Sequence, residues 1–166
     1  EELIVQTEHM SKLHSQSVNT VRLPTILTGN KKNNYEAHVF CTYLRMGRNQ
    51  DIVDNTGAGG IRASVDPGTG IVRTNGADNA NMKHVNHPDT GIPIKGFQIP
   101  RWEEAVNMVK ELALVIPAIR YVCWDCALTE SGWVLVEANS NGQINHEQAC
   151  DLKGKREELD TLCRQI

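Results

Sequence analysis

The sequence has no run of about 18 apolar residues, and its first residues carry neither a basic flank nor a hydrophobic stretch, so neither a membrane span nor a signal peptide is expected. It also lacks a basic patch. Its 17 Lys and Arg are dispersed among 20 Asp and Glu, for a formal charge of −3, which leaves no electrostatic footprint for nucleic acid. No disulfide framework is visible either: five cysteines, an odd number without framework spacing, argue for reduced thiols and a cytoplasmic setting. Cys123 and Cys126 form a C-x-x-C, but in an extended chain they project to opposite faces and no second pair accompanies them, which argues against zinc or redox chemistry. There is no internal repeat and no low-complexity segment. What is present is 166 residues, enough for one compact domain with a substantial core.

The first residues, Glu1 to Gln6, read as a short strand entered in its middle, as if the chain began inside a larger protein. Val18–Thr28 and Tyr35–Met46 are β-rich runs separated by the turn-prone GNKKNN, which predicts a hairpin with a longer loop. Pro24 should place the first run at a sheet edge or a bulge. Strand alternation sets Arg22 opposite to Val21 and Leu23, and puts Arg45 on one face with Ala37, Val39, Cys41 and Tyr43. A glycine-rich loop, Asn49–Gly60, precedes a second hairpin, Ile61–Val65 with Ile71–Thr74, turning at DPGTG. The polar stretch Asn75–Gly96 is long for a connection. Trp102, Ala105, Val106, Val109, Leu112, Ala113 and Ile116 recur at helical spacing until Pro117 ends the run, predicting a helix that covers a sheet. A last helix is expected from about Lys155, with Leu159, Leu162 and Ile166 on one side.

Tyr121–Asn141 carries the chemistry. Glu130, Ser131 and Gly132 suit a three-residue hairpin loop, with Gly132 at positive φ. That register sets Trp124 against Ala138, Cys126 against Val136 and Leu128 against Val134 on an apolar face. On the other face Asp125 lies opposite Glu137, with Cβ atoms about 5 Å apart, and Asn139 follows on the same side. A two-residue loop would shift the register by one and turn Asp125 toward the apolar residues. Two carboxylates and an amide oxygen suit magnesium better than zinc, because the harder ion takes oxygen ligands and shares them with water and phosphates.

Taken in order, SVNTVR (Ser17–Arg22), LRMG (Leu44–Gly47), VDNTGAGGI (Val53–Ile61), VD-x-x-TG (Val65–Gly70), HPDTG (His87–Gly91), G-x-x-IP-x-W (Gly96–Trp102), WDCALTESG (Trp124–Gly132) and VEAN (Val136–Asn139) resemble the ATP-grasp superfamily. Within it they are most similar to the sugar-transfer-associated, hexapeptide-transferase-like ATP-grasp family. The resemblance implies an α+β fold, an antiparallel sheet with helices packed on one side, forming the C-terminal lobe of an ATP-grasp domain. Residues 1–166 would be a single partial domain, with 143–166 a less well matched helical tail.

It also implies ATP and Mg2+ as cofactors, with Asp125, Glu137 and Asn139 as metal ligands. The opening EELIV would be the hinge that pairs with adenine, so that Glu1, Glu2, Leu3 and Ile4 touch the base and Glu8 meets the ribose. Arg45 and Arg22 would stand near the transferred phosphate, where a guanidinium engages oxygens in a fork and stays charged when desolvated. Asn55, with Gly57, Gly59 and Gly60, would form a loop whose backbone N–H groups approach an oxyanion. His87, Asp89 and Lys95 are candidates for an acceptor pocket. The implied activity is that of an ATP-dependent ligase: carboxylate activation through an acyl phosphate, then attack by an amine or similar nucleophile on an unidentified, sugar-related acceptor. A phosphotransferase on the same fold and a non-catalytic interaction lobe are the alternatives. The phosphate-binding lobe that normally precedes the hinge is expected upstream in the parent protein, as the missing N-terminal partner of this lobe, and the fragment alone is expected to be inactive.

Overall fold

The computed structural model describes residues 3–49, 54, 59–143 and 145–166. Eight strands form one antiparallel sheet: β1 (Val21–Asn30), β2 (Asn34–Val39), β3 (Tyr43–Met46), β4 (Ile61–Ser64), β5 (Gly76–Ala77), β6 (Lys83–His84), β7 (Tyr121–Thr129) and β8 (Gly132–Asn139). The helices are α1 (Glu8–Ser11), α2 (Trp102–Val115), α3 (Asn145–Asp151) and α4 (Arg156–Cys163). Strand order is β6-β5-β4-β3-β1-β7-β8, with β2 also paired to β1. Among the described residues no helix is long and apolar enough to cross a membrane.

The long β1 lies at the centre rather than at an edge, contrary to the expectation from Pro24. On one side it pairs with β7; on the other it pairs first with β3, at Val21 and Arg22, and then with β2, from Thr25 to Asn30. Pro24 sits where β1 changes partners. Its missing N–H costs no ladder bond there, and its carbonyl still accepts from Phe40 N at 3.1 Å.

The second β-rich run is not continuous. It breaks at Phe40–Thr42, where Cys41 takes φ 50° and tucks with Phe40 against Ile26. That break reverses the alternation. Ala37 and Val39 pack on the face covered by α2, whereas Tyr43 and Arg45 face the other way, so Arg45 does not share a face with Ala37 and Val39 as strict alternation predicts.

Helix α2 lies where its apolar spacing placed it, burying Trp102, Ala105, Val109 and Ala113 against Leu23, Val122 and Trp124. Each large apolar side chain contributes about 1.5–3 kcal/mol when fully buried. Ile116 is outside the helix and exposed. The opposite face is covered in part by α4, through Leu159 and Leu162 on Ile26, Phe40 and Tyr121, and by α3, which lies over β4 and β5. Helices thus reach both faces, not one as expected. Helix α3 carried no readable periodicity, being only 7 residues long.

The β7–β8 hairpin turns through two residues, Glu130 and Ser131, not three: Thr129 pairs with Gly132, which takes φ 139°, and Thr129 Oγ1 donates to the Gly132 carbonyl at 2.8 Å. Leu128 then faces Trp133, Ala127 faces Val134 and Cys126 faces Leu135. A β-bulge intervenes, Val136 is left over, and from there Asp125 faces Glu137, Trp124 faces Ala138 and Cys123 faces Asn139. The shorter turn and the bulge shift the register in opposite senses and cancel. The expected pairing at the chemical end survives while the expected apolar pairs of Cys126 and Leu128 do not.

Candidate functional site

Register alone builds a polar row across one face of the sheet. Glu137 on β8 is opposite Asp125 on β7, Asp125 opposite Arg22 on β1, Arg22 opposite Tyr43 on β3, and Tyr43 opposite Ser64 on β4. Directly paired residues share a face, so these five side chains point the same way, with Asn139 and Arg45 two positions along their strands. Arg45 is in turn opposite Arg62.

Asp125 is the hub. It is buried, and Arg22 engages it in a fork, Nε to Oδ1 and Nη2 to Oδ2, both at 2.5 Å, while Arg45 Nη1 donates to Oδ2 at 2.8 Å. The hydrogen bond to Asp125 raises the Arg22 pKa further above its ordinary value. Arg45 also reaches Asp54 Oδ1 through Nη2 at 3.1 Å, and Asp54 Oδ2 accepts from the Thr20 backbone N–H at 2.9 Å and from the Thr20 hydroxyl. Two carboxylates thus hold two guanidinium groups in one geometry, which a pair of flexible surface ions would not achieve.

Arg62 adds a third cation without a carboxylate partner among the described residues. It is buried, it donates to the side-chain oxygens of Asn79 and Asn81 at 3.2 and 3.3 Å, and its Nε has no partner among the described residues. Tyr43 lies under this group, with the Arg22 guanidinium 5.8 Å from its ring centre; burial pushes its phenol up to about 12. Its hydroxyl is 3.1 Å from His146 Nδ1 on α3.

The structure brings Asp125, Glu137, Asn139, Arg22 and Arg45 to one face of the sheet. Tyr43, Asp54, Arg62 and His146 were missed. Asp54 was within reach, as an acidic residue 9 positions after Arg45 inside the VDNTGAGG motif. Arg62 could have been found by continuing strand alternation from Arg45 to its neighbour, but only once that pairing was known. His146 gave no signal, since it lies in the segment read as a tail.

An oxygen-only ligand set fits magnesium here. Asp125 Oδ1 takes a single donor and Asn139 Oδ1 accepts only from Asn141 N, at 2.9 Å, so each retains a lone pair, and Glu137 is exposed with no ion pair among the described residues. The described residues contain no group of three or more His, Cys, Asp or Glu that would hold a metal alone.

Other expectations fare differently. Glu1, Glu2 and Asn55 lie outside the described residues, as does Gly57. Leu3 and Ile4 form no strand; the segment is tied to the hairpin by the Gln6–Thr129 bridge and by Thr7 N to Leu128 O at 2.9 Å. Leu3, Ile4 and Val5 line a groove of about 500 Å³ with Val134 and Leu135. Glu8 is exposed in the first turn of α1, and Gly59, at φ 104°, and Gly60 lead into β4.

His87, Asp89 and Lys95 do not converge on a pocket among the described residues. His87 is fully buried, and its Nε2 donates to the Gly47 carbonyl at 2.7 Å beside His14. A Cβ added at Gly47 would meet Ser17 Oγ and the His14 ring and force one of them to move. Lys95 instead lines a groove with Arg73 and Lys155. Burial lowers the His87 pKa below the usual histidine value. A folded pKa below the unfolded one means that the unfolded chain binds the proton more readily, so this stability is present above about pH 6.5 and is lost as pH falls toward the folded pKa. Urea midpoints should therefore drop between about pH 7.5 and 5.5, and less so in His87→Gln, which keeps a donor for Gly47. Equal slopes in the two proteins would show that His87 does not carry the effect.

Over residues 1–164 the sequence matches the family described as sugar-transfer associated ATP-grasp. No curated protein and no solved structure gave a match. The match covers nearly the whole chain, including every residue of the polar row, and the chain belongs to the sugar-transfer associated ATP-grasp family.

Proposed function

We propose that this chain is the nucleotide- and magnesium-binding lobe of an ATP-dependent ligase that activates a carboxylate as an acyl phosphate and passes it to an amine or similar nucleophile. The observation that carries this reading is the registered row Glu137–Asp125–Arg22, with Arg45 beside it. Asp125, Glu137 and Asn139 would hold the ion. When bound, magnesium supplies charge neutralisation at the phosphate oxygens.

The arginines do the rest. Arg22 spends Nε and Nη2 on Asp125 and Arg45 spends Nη1 and Nη2 on Asp125 and Asp54, which leaves Arg22 Nη1 and Arg45 Nε as donors toward a phosphoryl group. Both side chains are slightly open to solvent, at 13% and 15% exposure. Because the carboxylates have already oriented them, they stabilise developing charge without reorganising, which is where such groups gain most. Arg62 brings a third guanidinium opposite Arg45, set against the three carboxylates Asp54, Asp125 and Glu137. Phosphoryl transfer without ligation is the second reading on the same geometry; the sugar-related acceptor rests on the family alone, and the cytoplasmic setting on the cysteine pattern.

An ATP-grasp site is a clamp with two walls, and the described residues supply one. A cleft normally buries most of its ligand, so this chain should bind Mg·ATP weakly or not at all, and adding the upstream lobe should restore affinity. Calorimetric titration of Mg·ATP into both proteins checks this. Micromolar binding by the chain alone would sink the half-site reading.

A further inference from the structure

His146 belongs to none of the motifs, yet it stands over the end of the polar row. Neighbouring strands are about 4.8 Å apart, so Tyr43, two strands from Asp125, lies about 10 Å along the sheet from the metal end, with Arg22 on the strand between and Arg45 two positions along its own strand. An acceptor placed beyond the transferred phosphate would lie in this region. The His146 ring meets Tyr43 edge-on, at 80° and 5.8 Å between centres, and Nδ1 is 3.1 Å from the phenol oxygen. Nε2 has no hydrogen-bond partner among the described residues.

Resting on the ligase reading above, we propose that His146 is the base that takes the proton of the incoming nucleophile, with Tyr43 as its positioning residue. In the required tautomer Nδ1–H donates to the Tyr43 oxygen, which leaves the Nε2 lone pair free. A neutral amine attacks the acyl carbon, the nitrogen–carbon bond forms, the carbon–oxygen bond to phosphate breaks, and phosphate leaves with the bonding pair. The amine proton goes to Nε2 and then to solvent. Burial, with Arg62, Arg22 and Arg45 nearby, holds the His146 pKa below the usual value, so the ring is neutral and able to accept at neutral pH. The charged groups that bear on it are these arginines, with Tyr43 in contact. Glu147, next on the helix, is already engaged by Ser64, Arg73 and Lys155. An anion held by Arg22 and Arg45 offsets their field, so the ring is most basic when the site is loaded.

The premise is read in this chain by nitrogen-15 NMR of labelled histidine. At about pH 7 His146 should be neutral with the proton on Nδ1, and Tyr43→Phe should mix the two tautomers. A proton fixed on Nε2 overturns the proposal, because that nitrogen then cannot accept. The role is read in the full-length protein with Mg·ATP, a mixture of sugar acids as the carboxylate probe, and either hydroxylamine or ammonia as nucleophile. Hydroxylamine is largely unprotonated at this pH and needs little help, so His146→Asn should keep hydroxamate yield within about twofold while lowering amide formation about 100-fold, as for a lost general base. Equal loss with both nucleophiles, or no loss with ammonia, overturns it. No hydroxamate from the unmodified protein would instead remove the ligase reading itself, and this role with it.

Discussion

Replacing Asp125 by alanine should destabilise this lobe by about 3–5 kcal/mol, the usual cost of removing one partner from a buried ion pair. The reason is the company it keeps. Asp125 is 3% exposed, and its carboxylate accepts three hydrogen bonds from two guanidinium groups, themselves mostly buried. Without it, Arg22 loses its carboxylate and Arg45 retains only Asp54, beside an Arg62 that already has no carboxylate among the described residues. The Asp125→Asn variant keeps the shape and one acceptor oxygen, and its stability should fall between those of the unmodified protein and Asp125→Ala. Urea unfolding of the three proteins measures this. A loss below about 1 kcal/mol for Asp125→Ala would mean that the arginines find other partners and that the row is not a packed network.

Glu137→Gln should behave in the opposite way. Glu137 lies on the edge strand β8, exposed and without an ion pair among the described residues, so unfolding should move by no more than about 0.5 kcal/mol. In the full-length protein, Mg·ATP-dependent turnover should nevertheless fall on the order of 100-fold or more, because a charge at the proposed ion is removed while the side-chain shape is kept. Turnover equal to the unmodified protein at saturating magnesium would rule Glu137 out as a ligand. The two substitutions together separate a carboxylate on which the fold depends from one proposed for the ion alone, although they face each other across one hairpin.

Much of the fold was legible in local patterns. The apolar spacing from Trp102 to Ala113 defined α2, since helix periodicity depends only on residues a few positions apart. The DPGTG turn formed as expected, with Asp66 Oδ1 accepting from the Gly68 and Thr69 N–H groups at 3.0 and 2.9 Å. Asp125, Glu137 and Asn139 were legible because their 12- and two-residue spacings fall within one hairpin.

What failed was non-local. Pro24 looked like an edge residue because the sequence cannot say that β1 changes partners beside it. His87 looked like a loop ligand because nothing nearby in sequence announces that the Gly47 carbonyl, 40 residues away, receives its proton. The bulge at Val136 was invisible for a related reason: the three-residue turn expected at Glu130–Gly132 already paired Asp125 with Glu137, so nothing local called for the tighter two-residue turn and the bulge that offsets it.

By itself, then, the sequence determined an antiparallel α+β domain with a carboxylate pair in one hairpin and the motif order of its family, because periodicity, turn chemistry and motif spacing are properties of neighbours along the chain. Tertiary structure alone decided which cations Asp125 meets, 80 to 103 residues away, and that Arg62, Tyr43 and His146 join them. Contacts between strands distant in sequence depend on strand order and register, and those are set by burying a shared core rather than by any one segment.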